Sequence, residues 1–363
     1  MNQYAASDIR NIGLFSHGGA GKTSLAEAML FLSKATTRLG RVEDGNTTTD
    51  FDPDEVKRQM SISVALAPVE WNGVKLNIVD TPGYADLLGE VASALSVVDT
   101  ALILLDASAG VEVGTEQVWA MAGKQNVQRI LFINKMDREN ANYAQSLDSA
   151  IDAFGNALAP VQIPIGKEKD FRGIVDLLQN RAFTFDDSGA CTEGDPPAEM
   201  ADEIAGHRQT LVEALAETDE ELMMRYLDDE EIGADELLAA LRSSVKSGTV
   251  VPVFCGSGTT TRGVAQLLRG LSDFALPASD RVITGTENGE PVELSADPAG
   301  PLAAKVFKTF ADPHVGRLSY FRVFSGSLKS NGTVRNPGSD KSERLGHVFY
   351  IRGKDHLNTE VVS

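Results

Sequence analysis

The chain has 363 residues, enough for two or three domains and a sizeable core. Lys and Arg number 33 against 52 Asp and Glu, and the formal net charge of −19 argues against DNA or any other polyanion as a ligand held by bulk charge. Hydrophobic residues at 42% and charged residues at 23% exclude disorder over most of the length. The two cysteines, Cys191 and Cys255, have no companions at metal-ligand spacing, so a disulfide scaffold and a cysteine-based zinc site drop out. The opening residues lack the apolar core of a signal peptide, and the most apolar run, 101–105, is too short to cross a bilayer. A monomer in a reducing cytoplasm, without membrane association, is the expected setting.

In chain order, residues 9–15 read as a strand and 22–33 as a helix opening after a glycine-rich turn. Strands over 61–69 and 74–79 are joined by an Asn72-Gly73 hairpin turn. A helix over 85–98, a buried strand over 101–105, a helix over 115–124 and a buried strand over 130–133 follow. Near-continuous apolar strands separated by helices mean an α/β domain, a mostly parallel sheet covered on both faces. Residues 35–60 show no stable periodicity, which predicts a mobile functional loop.

From about 159 to 249 the pattern changes. β-like pieces at 161–165 and 173–176 precede the loop DDSGACTEGDPP and helices over 199–217 and 235–245. A strand over 250–254 and a helix over 263–275 then return to the first pattern, so the middle reads as an α+β insertion. Between 186 and 236, eighteen Asp or Glu stand against two Arg, a solvated acidic surface. After Leu276-Pro277, short strands at 302–307, 316–326, 332–336 and 345–351 predict an antiparallel β-barrel with no closing strand evident. The expected division is 1–280 with the insertion, then 281–363.

Four loops carry the chemistry. Ser16-His17-Gly18-Gly19-Ala20-Gly21-Lys22-Thr23 lies between a strand and a helix, where small residues let backbone N–H groups converge on phosphate oxygens at a helix N-terminus. The candidate contacts run from His17 through Ser24; Lys22 would reach the β- and γ-phosphates and the Thr23 hydroxyl would ligate Mg²⁺. His17 reads as a packing residue of the loop, and Ser16 stands where Gly or Ala is usual. Asp80-Thr81-Pro82-Gly83 ends a strand 58 residues after Lys22. Asp80 is a second Mg²⁺ candidate and the Gly83 N–H a sensor of the γ-phosphate, while Ser61, closing the long loop, is a third metal candidate.

Asn134-Lys135-Met136-Asp137 ends another buried strand. The Asp137 carboxylate can accept from guanine N1–H and the 2-amino group together, donors that adenine lacks. Lys135 can lie along the base, Asn134 can tie the base loop to the phosphate loop, and Ser257-Gly258 can offer N–H to the 6-oxo group. Guanine nucleotide, as GTP or GDP, is the expected ligand; an ATP-dependent kinase is disfavoured by these residues. Cys255 reads as a small buried residue.

Together with NKMDRENANY, QIPIGKEKDFRGIVDL, PVFCGSGTTTRGVAQLL and DPHVGRLSYFRVFSG, these loops resemble the translational GTPases of the elongation factor G family, most of all its elongation-factor-G-like paralogues. The resemblance covers essentially the whole chain and implies a P-loop GTPase domain with an inserted subdomain, then a β-barrel, as the N-terminal fragment of a longer protein. It also implies GTP hydrolysis and ribosomal RNA and stalk proteins as partners, with the acidic insertion facing the stalk. Two departures stand out. Arg58-Gln59-Met60-Ser61 replaces an Arg-Gly-Ile-Thr-type motif, and Tyr84 follows Asp-Thr-Pro-Gly where the family carries a water-orienting His. A phenol is a poor base at neutral pH, yet it can still position water. Tyr84, Gly83 and Lys22 are therefore the catalytic candidates, and either slow hydrolysis or a non-catalytic, GTP-dependent ribosome-binding regulator is expected.

Overall fold

Seven of the apolar runs pair into one sheet. The computed structural model describes residues 4–186, 189–228, 230, 232–287, 290–312 and 316–363, so 187–188 of the predicted loop and 313–315 of the last resembling segment lie outside the described residues. In chain order come β1 (Ile9–Phe15), α1 (Lys22–Leu32), α2 (Pro53–Arg58), β2 (Ala65–Trp71), β3 (Val74–Asp80), α3 (Leu88–Leu95), β4 (Thr100–Asp106), α4 (Val113–Lys124), β5 (Gln128–Asn134), α5 (Tyr143–Phe154) and β6 (Leu158–Pro160). β11 (Val251–Cys255) and α9 (Val264–Phe274) return after the middle segment. The sheet runs β2-β3-β1-β4-β5-β11-β6, and only the β2–β3 hairpin is antiparallel. Ile12, Leu14, Leu102, Leu104, Phe132 and Ile133 are fully buried in it, which is why these strands read as continuous apolar runs.

Residues Asn72 and Gly73 take positive φ of 47° and 83°, the left-handed pair that a two-residue turn requires. β6 joins the large sheet beside β11, so the chain leaves that sheet just after Pro160. The middle segment builds an antiparallel sheet of β7 (Gln162–Ile165), β8 (Gly173–Asp176), β9 (Arg181–Phe185) and β10 (Cys191–Gly194), in the order β10-β9-β8-β7. Three helices, α6 (Ala201–Ala216), α7 (Glu220–Leu227) and α8 (Ala234–Ser247), bury Leu211, Leu215, Leu237, Leu241 and Val245 and expose Asp202, Glu203, Glu217, Glu220 and Glu221. Apolar spacing alone does not separate α7 as a helix of its own, because Leu222 is buried while Leu227 faces solvent.

The remainder is antiparallel. β12 (Ile283–Glu287) pairs with β13 (Glu290–Leu294), β14 (Ala303–Asp312) with β15 (Gly316–Ser325), β16 (Leu328–Lys329) with β21 (Val361–Val362), β17 (Thr333–Asn336) with β18 (Lys341–Arg344), and β19 (Val348–Arg352) with β20 (Asp355–Thr359). Among the described residues each of these ladders has two strands.

Three expectations change in detail. Residues 61–64 do not extend β2, because Glu55 Oε1 takes the N–H groups of Ile62 and Ser63 at 2.9 and 3.0 Å, and Glu90 Oε2 takes that of Val64 at 2.7 Å. Inside the stretch expected to be structureless, α2 forms on a capping box between Asp52 and Glu55 with Pro53 in its first turn. Between Leu88 and Leu95 α3 is shorter than predicted, opened by a 3-10 turn, Ala85–Leu87.

Charged contacts fasten the antiparallel part to the sheet. Arg322 on β15 grips fully buried Asp99 with two hydrogen bonds of 2.7 and 2.8 Å, and Asn11 Nδ2 donates to the same carboxylate at 2.9 Å. Lys308 on β14 reaches Glu90 Oε2 at 2.6 Å. Arg352 donates to the Ala35 carbonyl at 2.8 Å and the Gly353 N–H to that of Leu66 at 2.8 Å. Removing Arg322 leaves buried Asp99 with only Arg281 Nε, 3.6 Å away, and the Asn11 amide to offset its charge. Arg322→Ala is therefore expected to lower unfolding free energy by about 3 kcal/mol, read as a fall in the urea midpoint.

Candidate functional site

Every strand that carries a candidate loop points its carboxyl end to the same edge, the crevice where ligands of open α/β sheets bind. β1 feeds the glycine-rich loop, β3 feeds Asp80, β5 feeds Asn134 and β11 feeds Ser257. Gly21 takes φ of +93° at the start of α1, and a β-carbon there would stand 2.6 Å from the Asn134 amide nitrogen, so no side chain fits. Lys22 is 6% exposed; its ammonium donates to Ser16 Oγ at 2.8 Å and to the His17 carbonyl at 3.3 Å. The Ser16 hydroxyl in turn donates to the His17 carbonyl at 2.7 Å, so the unusual serine serves as a rest for the lysine. Burial lowers the Lys22 pKa to about 8, against the pull of Asp80 and Asp50.

The oxygen cluster forms around Asp80. Its Oδ2 accepts from Thr23 Oγ1 at 2.9 Å and from Thr49 Oγ1 at 2.8 Å, while Thr23 Oγ1 lies 3.0 Å from Ser61 Oγ. All three metal candidates thus meet. Thr49 and Asp50 join them, and sequence reading missed both as site residues. The available signal was TTTD, three hydroxyls and a carboxylate in a loop without apolar periodicity. That loop is held down by Glu27, buried under it, whose Oε1 accepts from the Thr48 N–H at 2.6 Å. Burial raises the carboxyl of Asp50, and Asp80 beside it raises it further; Asp80 is raised by its own burial, opposed by Lys22.

Gly83 lies against the phosphate loop. A β-carbon on it would overlap Lys22 Nζ and stand 2.8 Å from the His17 carbonyl oxygen. Tyr84 follows with its side chain over Gly18 and is 46% exposed. His17 turns the other way: Nε2 lies 3.6 Å from Glu112 and Nδ1 is buried without a partner, in keeping with a packing role.

On the base side, Asn134 Nδ2 donates to the Ala20 carbonyl at 2.9 Å and its Oδ1 accepts from the Gly258 N–H at 3.0 Å. One amide therefore ties the phosphate loop, its own loop and the Ser257-Gly258 turn together. Gly258 sits directly on the backbone of Ser24 and Leu25. Lys135, at φ of 62°, pairs with Asp106 at 2.6 Å; against its burial, this lysine and Ser108 hold the Asp106 carboxyl below the usual range. Ser257 is fully buried and its Oγ accepts from the Thr260 N–H at 3.2 Å. Asp137 Oδ1 is buried and has no hydrogen-bond partner. A buried carboxylate oxygen left unpaired costs free energy unless a ligand donates to it.

Comparison with known proteins agrees with this fold. Residues 7–277 match the family described as elongation factor Tu GTP binding domain, and residues 301–362 match elongation factor G domain 2. This chain belongs to the translational GTPases of elongation factor G type. A solved structure from Thermus thermophilus is similar at 32% identity and a TM-score of 0.86, over 99% of this chain and 51% of that one. The chain thus spans about half the length of that relative. No helix among the described residues is long and apolar enough to cross a membrane.

For a GTPase of this type the cluster at Asp80 fits a hard divalent cation. Hydroxyl and carboxylate oxygens are the donor set Mg²⁺ prefers, and Asp80 Oδ1 is buried with no partner of its own. Without such a cation the folded chain holds the Asp50 and Asp80 protons more tightly than the unfolded chain does. That contribution to stability is present at low pH and is lost as pH rises from about 4 through the raised native values. Thermal unfolding in EDTA should therefore fall less between pH 5 and pH 8 in Asp50→Asn than in the parent.

Proposed function

We propose that the chain is the nucleotide-binding portion of a translation factor that binds Mg²⁺·GTP, works on the ribosome and hydrolyses GTP slowly when no ribosome is present. Residues 1–280, with the insertion at about 159–249, form the GTP-binding domain in this reading, and 281–363 a partial β-barrel that follows it. The protein acts as a cytoplasmic monomer, with ribosomal RNA and stalk proteins as partners; the exposed acidic helices suit a basic surface on the stalk.

One observation carries the nucleotide assignment: the unpartnered Asp137 carboxylate, set beside Lys135 at the sheet edge that also holds the phosphate loop. His17 through Ser24 would take the phosphates, Asn134, Lys135 and Asp137 the base, and Ser257 with Gly258 its 6-oxo group. Thr23, Ser61 and Asp80 would hold Mg²⁺, which supplies positive charge to the phosphate oxygens. Lys22 adds a second positive charge there. Asp137→Asn turns an acceptor into a donor opposite guanine, so GTP affinity should fall on the order of 100-fold. Xanthosine triphosphate should gain in the same variant. Equilibrium binding of the two nucleotides checks this; unchanged GTP affinity defeats the assignment.

Phosphoryl transfer depends on positioning and electrostatics more than on proton removal. In this reading the Gly83 N–H senses the γ-phosphate, which its close approach to Lys22 and Gly18 supports, and Tyr84 orients a water molecule there through its hydroxyl. The second reading, a GTP-dependent regulator that occupies the ribosome without useful hydrolysis, draws on the same phenol standing where the family has His. Single-turnover GTP cleavage with and without ribosomes separates the two. The first reading expects ribosome-dependent acceleration to a rate below that of a His-bearing factor, and the second expects none.

A further inference from the structure

The phosphate loop contains three glycines, and only two have a backbone reason to be glycine. Gly19 and Gly21 take φ of +85° and +93°, and a β-carbon on Gly19 would meet nothing within 4 Å. Gly18 has no positive φ among the described backbone angles. Its lack of a side chain does something else. A β-carbon on Gly18 would stand 3.1 Å from both Cε1 and Cζ of Tyr84 and 3.4 Å from Cδ1. Carbon atoms settle at about 3.5–4.0 Å, so the phenol ring occupies the volume a side chain would need. Gly83 is pressed onto the same stretch, where its β-carbon would stand 2.9 Å from the Gly18 α-carbon. Residues 83–84 are thus laid along residues 17–18, and Tyr84 still leaves 46% of its surface to solvent.

We propose that Gly18 is the positioning residue for Tyr84: its bare α-carbon is the seat that holds the ring over the phosphate loop and aims the hydroxyl at the water beside the terminal phosphate. The inference rests on the reading of Tyr84 as a water-orienting group, and it makes Gly18 and Tyr84 one unit. A methyl group at 18 asks the ring to give by a few tenths of an ångström; a branched side chain displaces it.

The seat and its use are tested separately. Hydroxyl-radical footprinting with mass spectrometry reads the exposure of Tyr84 without reference to activity. Gly18→Val should raise labelling of Tyr84 about twofold, the ceiling set by its present 46% exposure, with Gly18→Ala between it and the parent. Gly89→Ala, in α3 with nothing within 4 Å of the added methyl, should leave labelling unchanged. Equal labelling in Gly18→Val and the parent overturns the seat.

Ribosome-independent GTP cleavage reads the use. At GTP concentrations that saturate each variant, so that weaker phosphate binding does not enter the rate, Gly18→Val and Tyr84→Ala should lose the same factor, and the double variant should lose no more than either alone. Losses that multiply in the double variant overturn the coupling and leave Gly18 acting by itself. If Tyr84→Ala cleaves as fast as the parent, the water-orienting reading of Tyr84 falls, whereas the seat stands or falls on the labelling alone.

Discussion

One amide side chain organises the ligand edge. Asn134 bridges the Ala20 carbonyl and the Gly258 N–H, so the ends of β1, β5 and β11 are set relative to one another by two hydrogen bonds. The bridge exists only because Gly21 has no β-carbon: any side chain there would strike the amide nitrogen. The phosphate loop therefore needs glycine for two unrelated reasons at one position, a left-handed backbone and a neighbour's side chain. Rigid loops on buried parallel strands are the arrangement in which a few polar groups can be held to hydrogen-bond tolerance.

Much of this was legible in the residues. β1 has the bounds that periodicity predicts, the Asn72-Gly73 turn has the expected backbone, and Asn134 joins the loops it was expected to join. These features depend on local patterns: buried strands made of Ile, Leu and Val, and turns that require particular residues. What escaped was stabilised by long-range polar contacts or weakly apolar faces. α5 buries Tyr143, Ser146, Leu147 and Ala150 at helical spacing, a face with too few large apolar residues to declare itself. α2 had a visible capping box but only six residues. The departure of residues 61–64 from the strand could not be read at all, because its cause is side-chain capture by two carboxylates, Glu55 just upstream and Glu90 far along the chain. Thr49 and Asp50 escaped for the same reason, since only folding brings them to Asp80.

The charge pattern also divides by location. Residues 186–236, loops and helices together, carry most of the net negative charge, and charges exposed there are screened within about 8 Å at physiological salt. Buried and half-buried carboxylates have specific neighbours: Glu27 and Glu55 accept backbone N–H groups, and others meet cations. Asp99 is neutralised by Arg322 and Arg281 and hydrogen-bonded by Asn11, Asp106 is neutralised by Lys135, and Glu90 by Lys308. Asp50 and Asp80 share Lys22 between them and remain short of positive charge. The excess sits where the oxygen ligands gather.

Glu90 holds its two partners through a single atom. Oε2 accepts from the Val64 backbone at the end of the Ser61 segment and from Lys308 of β14, at 2.7 and 2.6 Å. Oxygen lone pairs tolerate only small departures from this geometry before the bonds weaken. If β14 shifts by about an ångström, the carboxylate must either follow it and release Val64, or stay and release Lys308. The antiparallel part therefore has a mechanical handle on the stretch of chain beside Ser61, and a push on its outer surface is felt next to the oxygen atoms gathered around Asp80.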